Sequence, residues 1–397
     1  MHLLIAPRGS SLRSFHLYPS DLHLAYDAKR LFANASGLGN YSRTLLEGLV
    51  KHHPQHTYSL FTPRIHAAYA QLDLAQAEQV NVRHYAGPAA GLWRTFRIAQ
   101  ELAARGVDLY HGLSHELPRG IEHTGVRSVV TMHDLIYLLR PELFPWVDRQ
   151  LYHWKVKHAL RTADHVIAIT EQTRRDLLDQ FPALEADRVS VVYQSCDARF
   201  FAQPECSVDV KEKYHLPERY LLSVGSIVKR KNLEVVLRAL AQLPAGDRLP
   251  LVAVGRGRGY TQALRKLAAE LGIAELFLVV DSLDDTTELI EVIRSAALFL
   301  YPSVYEGFGI PVIEALLCGT PVIASSAAAI REAGGPGARY VDPHDVTGFA
   351  EAIQKDLQHP AQARERMAAG RRYVQANFHS ASVSERLIKL YAQVLAQ

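Results

Sequence analysis

The chain has 397 residues, with 44 Lys or Arg against 41 Asp or Glu and a formal charge of +3. That balance excludes a bulk nucleic-acid binder, whose mark is a strong basic excess, and the length argues for two cores rather than one. With 48% hydrophobic and 21% charged residues the composition is that of a folded globular protein, neither disordered nor membrane-filling.

No run approaches 18 apolar residues, so no transmembrane helix is expected. The apolar start, residues 1–6, ends at Pro7-Arg8 and is too short for a signal peptide. Residues 1–20 read as an extension ahead of the first strand. Cys196, Cys206 and Cys318 fit no zinc spacing and form no CxxC, so they read as reduced thiols of a cytoplasmic protein.

In chain order, strands are expected at residues 22–27, 57–62, 80–84, 108–111, 128–132, 165–170 and 189–193, with a helix at 41–51. The pattern restarts with a strand at 220–225 and a helix at 233–243. Strands at 249–255, 276–280, 298–301, 321–324 and 339–341 follow, and a helix at 381–397 closes the chain. Short apolar strands alternating with helices give an α/β chain with parallel sheets covered on both faces. The boundary falls near residue 200, giving domains 1–200 and 201–397, with the closing helix a candidate to pack back on the first. Two doubly wound domains in series leave a cleft, and ligands bind outside the carboxyl ends of such strands.

Several segments at those strand ends carry chemistry. Tyr26-Asp27-Ala28-Lys29-Arg30 leads to Ser36-Gly37-Leu38-Gly39-Asn40-Tyr41, where two glycines let a ligand approach backbone; a plain loop before a helix is an equal reading. The loop after strand 108–111 holds His111, Ser114, His115 and Glu116. His133 ends strand 128–132 and faces the expected cleft, although a lone histidine is more often a packed one. Residues 144–161 hold Trp146, Tyr152, Trp154, Lys155, Lys157 and His158. That run suits a membrane surface or lipid-linked acceptor, with an ordinary amphipathic helix as the plainer alternative. Lys229, Arg230 and Lys231 follow strand 220–225 and open a helix; they could neutralise a diphosphate or form a solvated turn. Gly255-Arg256-Gly257-Arg258-Gly259 has the wrong spacing for a dinucleotide fingerprint and reads as a turn after a strand, with nucleotide contact as a further use.

The most informative segment is residues 301–324, which reads strand, glycine-rich turn, helix, turn, strand. Pro311 suits a first helical turn and Gly319 a C-terminal stop. Backbone amides around Gly309 and Val312 are expected to face an anion from the helix N-terminus. Glu306 and Glu314 place two carboxylates beside that cradle. Taken alone they would read as helix-terminus acids; with two glycines and an N1 proline they read as a site.

Tyr305-Glu306-Gly307-Phe308-Gly309-Ile310-Pro311, the Glu306-x7-Glu314 spacing and Cys318-Gly319-Thr320-Pro321-Val322-Ile323 resemble the retaining GT-B glycosyltransferases of family 4, or group 1. Gly225 to Asn232 and the Gly37–Asn40 loop are similar to that family's basic and glycine segments. The resemblance implies two Rossmann-like domains facing a cleft, with a nucleoside diphosphate sugar held in the second. It implies that Glu306 contacts the sugar hydroxyls, Glu314 the ribose, Arg230 and Lys231 the diphosphate, and His133 the transferred sugar. Gly39, Ser226, Phe308, Gly309, Ile310 and Val312 would complete the donor side; Asp27, Asn40, Tyr41, His111 and Ser114 would lie toward the acceptor. Many relatives have Glu-Pro where this chain has Val228-Lys229, which leaves Lys229 without an implied role, and Asn40 stands where Arg is frequent.

The implied reaction moves a hexosyl group, with retention, to a glycan or lipid-linked hydroxyl in polysaccharide or glycoconjugate synthesis. GDP-mannose is the favoured donor and UDP-sugars also fit. No cofactor and no metal are expected, since the chain has no Asp-x-Asp pair and no zinc-type cluster. Peripheral contact with the inner membrane surface is the other partner expectation. A sugar-nucleotide epimerase and a non-catalytic nucleotide-sugar binding protein are the alternatives; acceptor-free turnover and binding without turnover would identify them.

Overall fold

The computed structural model describes residues 21–397; the expectations for residues 1–20 lie outside that range. Among the described residues thirteen strands form, in chain order: β1 (His23–Asp27), β2 (Thr57–Thr62), β3 (Val80–His84), β4 (Leu109–Gly112), β5 (Arg127–Met132), β6 (His165–Ala168), β7 (Val189–Val191), β8 (Leu221–Val224), β9 (Leu251–Val254), β10 (Phe277–Val280), β11 (Leu298–Tyr301), β12 (Val322–Ser325) and β13 (Ala338–Val341). They build two sheets, ordered β3-β2-β1-β4-β5-β6-β7 and β10-β9-β8-β11-β12-β13. All pairs are parallel, with β1 in register against β2 from His23–Thr57 to Asp27–Phe61. Strands such as β11 and β12 are buried along their whole length, because helices cover both faces of a parallel sheet.

Strand order reverses between β1 and β4 in the first sheet and between β8 and β11 in the second. Loops leaving neighbouring strands diverge at such a point and open a crevice beyond their carboxyl ends. Asp27 and His111 lie at the carboxyl ends of β1 and β4, and the loops after β4 and β5 carry Ser114–Glu116 and His133-Asp134. Those after β8 and β11 carry the basic turn and the Glu306 loop.

The two halves share a core. One buried cluster runs from Tyr26 and Leu46 through Tyr220 and Phe299 to Phe378 and Tyr391. The last helix, Ser380–Leu395, packs on the helix Gly37–His52, which lies against the first sheet. His52 Nε2 meets Ser380 Oγ at 3.1 Å, and Tyr391 OH meets His111 Nδ1 at 2.7 Å. Gly48 is glycine where a Cβ would stand 2.8 Å from Ser384 Oγ.

A second junction lies nearer the crevice. Glu332 accepts the first two amides of the helix Glu171–Gln180, from Glu171 at 2.7 Å and Gln172 at 2.9 Å. A carboxylate there complements the helix dipole. Tyr305 OH donates to Asp176 Oδ2 at 2.9 Å, and Thr170 Oγ1 to Gly307 O at 3.2 Å. Among the described residues, no helix is long and apolar enough to cross a membrane.

One element differs in kind from its sequence reading. Residues 37–40 are not a loop but the first turn of the helix Gly37–His52. A Cβ at Gly39 would meet Asn34 O at 1.8 Å, so its glycine serves the packing of that turn on the preceding chain.

Candidate active site

After β8 the chain turns at Gly225, whose φ of +136° suits glycine. Lys229–Lys231 then form one 3-10 turn. Asn232, left-handed at φ +55°, sends its amide to Pro302 O at 3.2 Å and Pro343 O at 2.6 Å. Val304 N donates to Arg230 O at 3.0 Å. The basic turn is thus sewn to the loop after β11, and Arg230 and Lys231 face Glu306 as a result. The glycines of Gly255-Arg256-Gly257 let the next loop lie against this one: a Cβ on Gly255 would stand 2.0 Å from Gly225 O.

Glu306 Oε1 lies 2.6 Å from both Arg230 Nη1 and Lys231 Nζ. Neither approach has hydrogen-bond direction, and Oε1 is left without a directed donor. The donors point elsewhere, Arg230 Nη1 to Tyr305 O and Lys231 Nζ to Tyr301 OH, each at 2.6 Å. The cluster therefore carries two cations against one carboxylate, a net positive charge that Glu306 offsets only in part. Burial alone would raise the Glu306 carboxyl, but Lys231 and Arg230 outweigh it and hold the group at about 2. Burial lowers Lys231 even though Glu306 opposes the fall. Glu314, on the helix Ile310–Cys318, has the opposite environment: burial, with Asp197 adding and Lys231 opposing, pushes it up to about 8.

At the head of that helix Gly309 takes φ +151° and Pro311 occupies the first turn. Val312 N already donates to Gly309 O at 2.9 Å, and proline has no N–H. At this helix start, among the described residues, the amides left without partners are those of Gly309 and Ile310, while that of Val312 is taken by Gly309 O. The side chains of Phe308 and Val312 are in the core; Phe308 stacks on Tyr193 at 5.8 Å. Ser226 is exposed on the turn after β8.

Across the crevice, His133 Nε2 pairs with Leu113 O at 2.8 Å and its backbone N–H donates to His115 Nε2 at 2.9 Å. Burial lowers the His133 ring to about 3, so it is neutral. A neutral ring donating from Nε2 to a carbonyl keeps only a lone pair at Nδ1 for a ligand. Gly307 meets this residue directly, since a Cβ there would be 2.4 Å from His133 O. That contact sets the Glu306 loop beside His133 and Asp134.

The remaining sequence candidates support the site from below or lie aside. Tyr41 packs edge-on to His133 at 4.5 Å and shares Thr131 Oγ1 with His111, at 3.0 and 2.7 Å. His111, with both ring nitrogens engaged, is wholly buried. Asp27 is buried in an ion pair with Arg94, which also holds Glu116 at 2.5 Å. Asn40 is exposed and accepts from Arg43 at 2.6 Å. Ser114 is buried beside the crevice. The structure therefore gathers Arg230, Lys231, Glu306, Glu314, Gly309 and Ile310 on one side with His133 opposite, and leaves Asp27, Asn40 and His111 outside that group. Sequence reasoning missed Tyr301, which seats Lys231, and Asp134, which feels both Arg230 and Glu306; its place directly after His133 was the available signal. No group of three or more His, Cys, Asp or Glu is arranged to hold a metal among the described residues.

Two family models match the chain: Glycosyltransferase Family 4 over residues 35–200 and Glycosyl transferases group 1 over residues 209–373. The chain is 31% identical to the O-antigen chain mannosyltransferase B of Escherichia coli over 255 residues, which are 63% of this chain and 65% of that protein. It thus spans just under two thirds of that relative. It is 30% identical to the alpha-maltose-1-phosphate synthase of Mycolicibacterium smegmatis over 296 residues, 68% of this chain and 74% of that one. The crystal structure of Anabaena Alr3699/HepE in complex with UDP superposes with a TM-score of 0.69 at 17% identity, covering 94% of this chain and 100% of that one. That likeness fixes the fold as GT-B.

Proposed function

Because the chain belongs to the group 1 glycosyltransferases of family 4, we propose that it moves a hexosyl unit from a nucleoside diphosphate sugar to a glycan or lipid-linked hydroxyl, with retention and without a metal. The observation that carries the reading is the unsaturated Arg230–Lys231–Glu306 cluster beside the free amides of Gly309 and Ile310. A diphosphate entering there meets two cations and two N–H groups preorganised for the charge that grows on a leaving group. Glu306, released from balancing those cations, is free to take sugar hydroxyls. Glu314 would accept from the ribose. His133, acceptor-only at Nδ1, would accept a hydrogen bond from a hydroxyl of the transferred sugar. The acceptor hydroxyl attacks the anomeric carbon on the face that the diphosphate leaves, and its proton passes to the departing phosphate oxygen. GDP-mannose is the favoured donor, on the mannosyltransferase among the relatives; a UDP-bound neighbour keeps UDP-sugars in the screen. The test is transfer from GDP-mannose, UDP-glucose and UDP-galactose in the presence of EDTA. Turnover should persist and NMR should show the donor's anomeric configuration. Complete loss on chelation with recovery on Mn²⁺ would refute the metal-free mechanism, and an inverted product the retaining one.

We also propose that the first half rests on an anionic membrane face. The helix Trp146–Thr162 leaves Trp146, Val147, Leu151 and Trp154 exposed, and the nearby helix Ala90–Phe96 adds Leu92 and Phe96. Arg119 bridges them, 5.8 Å from the Phe96 ring and 4.5 Å from Trp154. Clustered exposed apolar side chains mark an interaction surface, and exposed Arg97, Arg119, Lys157 and Arg161 give it the sign that suits anionic headgroups. The protein should co-sediment with phosphatidylglycerol-containing vesicles, and Trp146→Ser with Trp154→Ser should lose most of that binding. Equal binding to pure phosphatidylcholine would refute the charge argument, and no loss in the double variant would refute the surface.

A further inference from the structure

On the inner side of that same helix lies a cavity of about 180 Å³. It is walled by Tyr137, Phe144 and Tyr152, whose neighbouring ring centroids are 6.0 and 6.3 Å apart. Its polar lining includes Arg30, Glu116, Asp134 and Lys155. The fold uses little of this polarity. Tyr137 is buried, yet its hydroxyl has no hydrogen-bond partner. One Asp134 oxygen accepts from Ile136 N at 3.0 Å, and the other has no partner among the described residues. Arg30 likewise has none. Glu116 and Lys155, by contrast, are paired at 2.9 Å, with Arg94 completing the cluster. An unpartnered buried hydroxyl is costly unless something polar meets it.

We propose that this cavity seats the terminal ring of the acceptor, a neutral pyranose, with Asp134 holding the attacking hydroxyl. The proposal rests on the glycosyltransferase reading and deepens it. A pyranose has an apolar C–H face and a rim of hydroxyls, which matches an aromatic wall set against an uncommitted carboxylate and guanidinium. The volume, below the roughly 300–1,000 Å³ of drug-sized pockets, suits one ring. Its formal charges cancel, Arg30 and Lys155 against Glu116 and Asp134, so the lining as a whole offers no net positive charge to a phosphorylated ring. Asp134 also fixes the direction of transfer. A Cβ on Gly307 would lie 3.3 Å from Asp134 Cβ, and Arg230 and Glu306 act on its carboxyl. A hydroxyl held there points toward the donor sugar.

The test measures three quantities: GDP and UDP binding by calorimetry, donor hydrolysis without acceptor, and transfer to methyl α-mannopyranoside, methyl α-glucopyranoside or mannose 6-phosphate. Tyr152→Ala, at the exposed edge of the wall, and Asp134→Asn, which keeps the acceptor for Ile136 N–H, are compared with wild type. Tyr152→Ala should raise acceptor KM by about tenfold while nucleotide binding and donor hydrolysis stay within about twofold. Asp134→Asn should lower acceptor kcat/KM by about tenfold or more with nucleotide binding kept. The neutral glycosides should be used in preference to mannose 6-phosphate. Unchanged acceptor KM in Tyr152→Ala, or better use of the phosphorylated sugar, overturns the assignment. Failure of the glycosyltransferase reading would look different: wild type would bind no nucleotide and transfer to no acceptor.

Discussion

Arg230→Ala and Lys231→Ala should each lower kcat/KM for the donor by at least about tenfold, a loss of about 1.4 kcal/mol or more of transition-state stabilisation. Either change removes a cation from the place where leaving-group charge develops. It also leaves Glu306 held by one partner instead of two at 2.6 Å. The two variants should differ in detail. Arg230 offers a fork that can hold two phosphate oxygens, so Arg230→Lys should recover only part of the rate. Lys231 is a point charge seated on the Tyr301 ring at 4.5 Å, and Lys231→Arg must displace that contact. Melting temperatures measured beside the kinetics separate lost folding from lost catalysis. If both alanine variants keep wild-type kcat/KM, the diphosphate does not bind here.

The sheets were legible because both faces of every central strand are covered. Burial on two sides writes short continuous apolar runs, and 57–62, 80–84 and 298–301 appear at those bounds. The Glu306–Gly319 unit was legible for a related reason: Gly309, Pro311 and Gly319 each answer a local backbone demand that sequence records. Gly39 shows the limit of that logic. Asn34 O alone already requires its glycine, and only the fold says which neighbour makes that demand. Phe308 and Val312 show the same limit, since a motif gives their positions but not that their side chains turn into the core. The ion cluster of Asp27, Arg94 and Glu116 joins a strand end, a helix and a loop, and no spacing rule links them. The cavity beside Asp134 was invisible for the same reason, its wall and its polar rim coming from segments that meet only when the sheet forms.

The two glutamates of the motif should fail in opposite ways, because their surroundings push their carboxyls apart. Glu306 is held at about 2 by Lys231 and Arg230, so it is a full anion in the working range. Its folded-state pKa is lowered; the stability it contributes is present above the ordinary carboxylate range and fades as pH falls toward 2. Glu306→Gln removes that charge at neutral pH, leaves two partly buried cations under-balanced, and should lower both melting temperature and kcat, the latter by about a hundredfold. Glu314 is pushed up to about 8, so near pH 7 it largely keeps its proton, which Gln imitates. Its folded-state pKa is raised, and stability is therefore lost as pH climbs from the ordinary carboxylate range through 8. Glu314→Gln escapes that loss, and its melting temperature should overtake wild type toward about pH 9. Its kinetic effect should sit in donor KM, since the ribose changes little during transfer, and should grow with pH as the wild-type carboxylate ionises and accepts more strongly. A Glu314→Gln enzyme with normal donor KM at every pH, or a Glu306→Gln enzyme with normal kcat and a raised KM, would reverse the assignments while leaving the site in place.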